Sequence, residues 1–284
     1  MNKVLFITGP TASGKTSLAI KIAKKFNGEI ISADSRAIYK GIDIASAKPS
    51  LEERDGVIHW GFDIVNVGER FTAYDYQQYA YKKIEDIISR SKLPIVVGGT
   101  GLYIDSLLYN YQFSSKPNYE LRNSLENKSL EYLIEYCNKN NINMPENKKN
   151  KRYIIRAIEK QGYKNNGKKD NDFTSIAVGI TTDRSVLKDR IVKRNREFVK
   201  LGIIEEAICL SNKFGWNNES MTANAYPLIR KYLDNEIDLE KLIELMSIRD
   251  WQLAKRQITF MKRNKKIHWL QLEEAEAFIE KELS

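Results

Sequence analysis

The chain has 284 residues, enough to bury a substantial core and to divide into a main body and an insertion. Apolar residues make up 42% of it, yet no run approaches the roughly 18 that a membrane span requires, which argues against a membrane-spanning role. The formal charge is +9 and the pI about 9.2, a balance that suits a polyanionic partner better than an acidic one.

Residues 3–8 are a short apolar run ending at a Gly-rich turn, the mark of a buried parallel strand. A strand this early leaves no room for a signal peptide. Cys137 and Cys209 lie far apart without metal-ligand spacing and read as reduced thiols of a cytoplasmic protein. Helical spacing of Leu18, Ile22 and Phe26 predicts a helix over 17–26, and 29–33 is a second strand closed by Asp34. Strand character recurs over 57–64 and 94–97, with a Thr72-capped helix to about residue 90 between them and another helix over 102–109. Strands alternating with helices predict an α/β fold, a P-loop-type parallel sheet flanked by helices.

From about 119 to 160 the chain turns charged and Asn-rich with helical periodicity, and 162–172 reads as a mobile loop. A strand over 176–181, long helices over 183–214 and 239–262, and a last strand over 267–270 follow. This predicts a core of residues 1–112, 146–200 and 246–284, with a helical insertion at 113–145 and an adjoining C-terminal helical lobe at 201–245. Basic residues gather in three places: Lys148, Lys149, Lys151, Arg152 and Arg156; then Lys188, Arg190, Lys193, Arg194 and Arg196; then Lys255, Arg256, Lys262, Arg263, Lys265 and Lys266. A Lys-rich composition alone would raise the net charge without grouping it. The grouping favours nucleic acid.

Gly9, Pro10, Thr11, Ala12, Ser13, Gly14, Lys15 and Thr16 fit G-x-x-x-x-G-K-[ST] between a predicted strand and a predicted helix. Glycines permit the tight turn, successive N–H groups form a nest for anionic oxygens, and the following helix N-terminus adds positive potential. Lys15 is placed for phosphate oxygens and the Thr16 hydroxyl for Mg²⁺. The motif specifies a gripped pyrophosphate without naming the molecule that carries it. Asp34, at the end of an apolar strand, lies at the ligand-binding edge of a parallel sheet. Metal ligand, general base and turn cap are all open to it.

The stretch from Asp34 through Tyr39, Gly41, Asp43 and Ala47 to Pro49, coming after the phosphate loop, resembles the bacterial tRNA dimethylallyltransferases. So do Gly98-Gly99-Thr100-Gly101-Leu102-Tyr103, Arg156-Ala157-Ile158-Glu159 and Lys255-Arg256-Gln257-Ile258-Thr259, and these blocks run in family order over nearly the whole chain. The resemblance implies transfer of a dimethylallyl group from dimethylallyl pyrophosphate, with Mg²⁺, to the exocyclic amine of the adenosine 3′ of the anticodon. It implies that residues 9–16 hold the donor pyrophosphate, that Asp34 is the general base, that Thr100 sits at the reaction centre, and that Arg194 faces the leaving group. Contacts to tRNA would come from Asp34, Ser35, Arg36, Ala37, Arg122, Arg152, Arg156, Lys255, Arg256, Gln257 and Lys262, with the 201–245 lobe facing the RNA. A monomer suffices for such a reaction.

The chain departs from the family pattern at Ala225 and Pro227, at Asn150, at Phe260 and in a short insertion. A small-molecule kinase is the competing enzyme reading, because the same loop serves ATP. Against it, no Arg-rich lid sequence is evident and the basic C-terminal lobe would have no role. An RNA-binding relative without activity is the competing non-enzyme reading, and retention of Lys15, Thr16, Asp34, Thr100 and Arg194 argues against it.

Overall fold

The computed structural model describes residues 2–113, 118–160, 167, 170–222 and 224–284. Six parallel strands form one sheet: β1 (Lys3–Thr8), β2 (Gly28–Ser32), β3 (His59–Trp60), β4 (Leu93–Gly98), β5 (Thr174–Ile180) and β6 (His268–Leu270). Their spatial order is β3-β2-β4-β1-β5-β6, so the strand that feeds the phosphate loop lies inside the sheet between β4 and β5. Helices cover both faces, as a wholly parallel sheet requires. On one face α1 (Lys15–Lys25) and α11 (Leu272–Leu283) pack through Leu18, Ile22, Ala275 and Ile279 on Leu5, Ile7, Ile30 and Val97. On the other, α2 (Ala73–Ser89) and α3 (Gly101–Leu108) bury Tyr76, Ile84, Ile104 and Leu107 against Phe6, Ile31 and Val96. Thr72 starts α2 as read from the sequence, through a reciprocal capping box with Asp75.

A third apolar cluster of the same unit joins residues after β2 to the helical lobe. Ile38, Ile42 and Val65 pack with Ile203, Leu210, Tyr226 and Leu242. The lobe consists of α8 (Ile203–Phe214), a 3₁₀ turn (Glu219–Thr222) and α9 (Tyr226–Leu233), set against the 23-residue α10 (Leu239–Met261).

The smaller unit spans 110–170 and contains α4 (Tyr119–Glu126), α5 (Leu130–Lys139) and α6 (Lys151–Glu159) around Leu133, Cys137, Ile154 and Ile158. The boundary expected at 113–145 is therefore too narrow. Residues 146–170, read as core, go with the insertion because α6 buries its apolar stripe on α4 and α5. Most of the loop expected at 162–172 lies outside the described residues. No described helix is long and apolar enough to cross a membrane.

Two other readings change. The helix expected over 183–214 is two, α7 (Arg184–Lys200) and α8, broken at Gly202, whose φ of 95° no helix continues through. Strand character over 57–64 survives only in His59–Trp60, because Gly61 and Asp63 both take positive φ, 88° and 56°.

The departures from the family pattern are absorbed locally. Pro227 falls in the first turn of α9, where its missing N–H is not needed, and Ala225 has φ −81°, which requires no glycine. Asn150 caps α6 by accepting from Arg152 N at 3.1 Å, as an aspartate would. Phe260 packs beside Gly101 in the core.

One buried charge anchors the lower end of the sheet. Glu29, whose side chain is 1% exposed, accepts from Trp60 Nε1 at 2.7 Å, Arg90 at 2.8 Å and Lys92 at 2.8 Å. The Arg90 hydrogen bonds foremost, with Lys92 and Trp60, hold its carboxyl down to about 2 against the cost of burial. Glu29→Gln is expected to destabilise the fold by about 3 kcal/mol, near the low end for a broken buried pair because Arg90 and Lys92 remain partly solvated. The folded pKa lies below the unfolded one, so this contribution is full above about 4.5 and fades as pH falls toward 2. Denaturant midpoints of the two proteins should therefore converge in acid.

Candidate active site

The phosphate loop, the turn after β2, the turn after β4 and one face of α7 meet at the C-terminal edge of the sheet. They enclose a cavity of about 240 Å³. Its polar end is residues 11–16, with Asp34 and Arg194. Its other walls are largely apolar, from Ile30, Ala37, Pro49, Phe62 and Val97.

The loop takes the expected conformation. Ala12 and Gly14 have φ of 63° and 87°, which turn the chain into α1. Lys15 Nζ folds back onto Pro10 O at 3.1 Å. Burial first, and then the Arg194 charge, push the Lys15 ammonium down to about 8, with Asp34 opposing. Its charge is held below that pH and lost above it. Pyrophosphate affinity is thus expected to fall as pH rises through about 8, and Lys15→Arg should flatten the fall; calorimetric titration between neutral and mildly alkaline pH would measure both.

Two donors on residues that line this cavity, the Ser13 hydroxyl and Arg194 Nε, are buried with no partner among the described residues. Buried donors are rarely left unpaired, so the cavity is built for a ligand with acceptor oxygens. Arg194 is fixed on three sides. Its guanidinium donates to Thr11 Oγ1 and, at 2.8 Å, to Asp250 Oδ2, and it lies 5.2 Å over the Phe198 ring. Asp250 is itself held by Asn195 at 3.3 Å and Asn224 at 3.1 Å.

Asp34 Oδ1 accepts from Arg36 N at 2.8 Å and Ala37 N at 3.3 Å, so the turn-cap reading holds for one oxygen. The other accepts no hydrogen bond from the described residues. The Thr100 hydroxyl does not cap α3; it accepts from Ser35 N at 3.0 Å and ties the β4–α3 turn to the Asp34 loop. Gln257 reaches across from α10, and its Oε1 accepts from Thr11 N at 2.9 Å. This approach needs glycine at 99, since a Cβ there would lie 2.3 Å from the Gln257 amide. The structure therefore brings Asp34, Thr100, Arg194 and Gln257 together with the phosphate loop.

The other expected RNA contacts divide. Lys255, Arg256 and Lys262 are exposed on α10, and Arg36 donates to Thr222 Oγ1 at 3.1 Å. Ala37 is buried. In the smaller unit Arg122 grips Glu159 with two donors, one at 2.8 Å, and Arg156 joins at 3.1 Å, so both hold that helical unit together. Arg152 is exposed.

Thr16 lines the cavity at the first turn of α1, and no cluster of three His, Cys, Asp or Glu occurs among the described residues. That donor set fits Mg²⁺, which takes few protein ligands and is completed by phosphate oxygens and water.

His59 belongs to no motif in the sequence. It lines the cavity, stacks on Phe62 at 5.7 Å, and holds its Nδ1 2.9 Å from Val57 O, while Nε2 is buried without a partner among the described residues. Burial lowers its pKa. Asp250 was missed too: nothing marks one acid inside a charged helix as the partner of an arginine 56 positions away.

A family model described as IPP transferase matches residues 37–264. The tRNA dimethylallyltransferase of Acetivibrio thermocellus is 39% identical to this chain, covering 96% of it and 93% of the relative. Among solved structures, the full-length tRNA isopentenylpyrophosphate transferase of Bacillus halodurans is 32% identical, with a TM-score of 0.75 over 100% of this chain and 97% of that one. A eukaryotic dimethylallyltransferase solved acting on tRNA gives a TM-score of 0.77 at 26% identity, covering 95% of this chain and 74% of that one. Sequence and fold agree end to end, and the chain belongs to the IPP transferase family.

Proposed function

We propose that the chain transfers a dimethylallyl group from dimethylallyl pyrophosphate to the N6 amine of the adenosine 3′ of the anticodon in tRNA, releasing pyrophosphate. The observation that carries this reading is the bipartite cavity. Unpartnered cationic and hydroxyl donors stand at its phosphate-loop end, and a small apolar wall at the other suits a short hydrocarbon. The relatives that match over nearly the whole chain are tRNA-modifying transferases, which speaks against a kinase.

In the reaction the adenine nitrogen bonds to the allylic carbon as the carbon–oxygen bond breaks, and its electron pair leaves with the pyrophosphate. Asp34 accepts the proton the amine loses. Ser13, Lys15, Arg194 and the loop N–H groups receive the charge building on the leaving group; donors already aimed at such charge usually supply the largest share of catalysis. Thr16 would hold Mg²⁺, which when bound neutralises pyrophosphate charge. The target base must leave the anticodon-loop stack, at a cost of a few kcal/mol that basic contacts to the RNA offset. The protein acts as a monomer in the cytoplasm.

Incubation with dimethylallyl pyrophosphate, Mg²⁺ and unmodified tRNA, followed by mass spectrometry of the nucleosides, should show one C₅H₈ unit added to adenosine. Phosphoryl transfer from ATP without prenylation would refute the assignment.

A further inference from the structure

A second cavity, of about 550 Å³, opens on the other side of the phosphate loop. Pro10 lines it, while the next residue, Thr11, lines the donor cavity, so the two meet at consecutive residues of the loop. Its cations are Arg184 and Lys188 from α7, Lys255 from α10 and Lys262 at the end of α10, and no acidic residue among the described ones lines it. The positive charge is held in place. Lys188 Nζ lies 5.1 Å and Lys255 Nζ 5.9 Å from the Trp251 ring centroid, so two helices pin their ammonium groups to one indole.

Two further features lie at the groove. Trp269 lines it with an Nε1–H that is buried and has no acceptor among the described residues, and its ring lies directly over Gly179, where any Cβ would meet it at 2.7 Å. Thr182 and Arg184 bring the start of the 17-residue α7 to the groove, and no side chain caps its first N–H groups. Fixed cations, an orphaned indole donor and an uncapped helix start call for one ligand chemistry, a phosphate-bearing one.

We infer that this groove binds a phosphodiester of the RNA next to the nucleotide being modified. The inference rests on the tRNA reading above and adds to it a site made by Arg184, Lys188, Trp251 and Trp269. Position selects the RNA over a free nucleotide. The groove adjoins the reacting edge, and a polynucleotide whose base reaches Asp34 must carry its neighbouring phosphates past that edge.

The test is binding of an anticodon stem-loop RNA to the full chain as a function of salt. Arg184→Ala/Lys188→Ala, at two exposed positions, is expected to weaken binding about ten-fold and to flatten the log–log salt slope by about 0.7 per lost phosphate contact. Pyrophosphate affinity, read by calorimetry, should not change. Trp269→Phe removes the N–H together with part of the ring over Gly179; it should weaken RNA binding a few-fold while pyrophosphate affinity holds, which lost packing alone would not do. An unchanged RNA affinity and salt slope in both variants would overturn the inference. So would ATP or inorganic pyrophosphate binding that these variants weaken while RNA binding stays intact, because the groove would then be a free-nucleotide site. Binding is read without prenyl transfer, so variant-sensitive RNA binding in a protein that fails to prenylate would sink the proposed activity and leave the groove standing.

Discussion

Replacing Asp34 by asparagine should lower kcat by about 10²–10⁴-fold, the range for a positioned general base, while tRNA affinity changes only a few-fold. Asparagine is the sharper probe than alanine. Oδ1 caps its own turn through Arg36 N and Ala37 N, and an amide oxygen can keep both bonds. Alanine would release that turn, and with it the Ser35 N–Thr100 hydrogen bond that carries the β4–α3 turn. The asparagine variant keeps the turn and loses the proton acceptor and its charge. A second readout separates this from misfolding. The Asp34 charge raises the Lys15 pKa, so its removal should move the alkaline fall in pyrophosphate affinity to lower pH. Turnover within a few-fold of wild type would remove Asp34 from the base role, and an unmoved alkaline limb would show that the carboxylate does not face Lys15.

What could be read from the chain follows the distance over which each signal acts. The phosphate loop is local: strand, turn and helix start are consecutive, so spacing alone placed Lys15 and Thr16. Asp34 was placed by its position at a strand end, but which oxygen does what depends on N–H groups that only the folded turn supplies. Arg194 and Asp250 meet across 56 residues, and Gln257 reaches Thr11 across 246. No periodicity encodes such pairings. The α7–α8 break was missed because a glycine among helix formers is a weak signal until its φ is known. The closing helix α11 was missed as well, although Gln271 and Glu274 form its capping box ahead of Leu272, Ala275 and Ile279. Residues 146–160, which hold α6, were read with the core. The place of α6 follows instead from the apolar stripe of Ile154, Ile155 and Ile158, and from Glu159, which draws in Arg122 and Arg156.

Arg194→Ala is expected to cost about 10²–10³-fold in kcat, the scale for removing one preorganised donor to developing negative charge. Arg194→Lys should recover little of it. An ammonium cannot donate to Thr11 and Asp250 together while lying flat over Phe198, and the buried Nε–H that awaits a ligand oxygen would be gone. The alanine variant also strands Asp250, 12% exposed, with only its amide partners, so stability should fall alongside activity. Arg194→Ala/Asp250→Asn divides the two effects, because it removes the stranded charge: melting temperature should return toward wild type while turnover stays low. The Lys15 limb supplies an independent sign. Arg194 lowers the Lys15 pKa, so its loss should shift the alkaline fall in pyrophosphate affinity upward, opposite to the shift from Asp34→Asn. A double variant that regains turnover together with stability would make Arg194 a structural residue. Low turnover with opposed pH shifts in the two single variants would place Asp34 and Arg194 on opposite sides of one charge-transfer event, Asp34 drawing a proton from the amine as Arg194 clamps the pyrophosphate that the amine displaces.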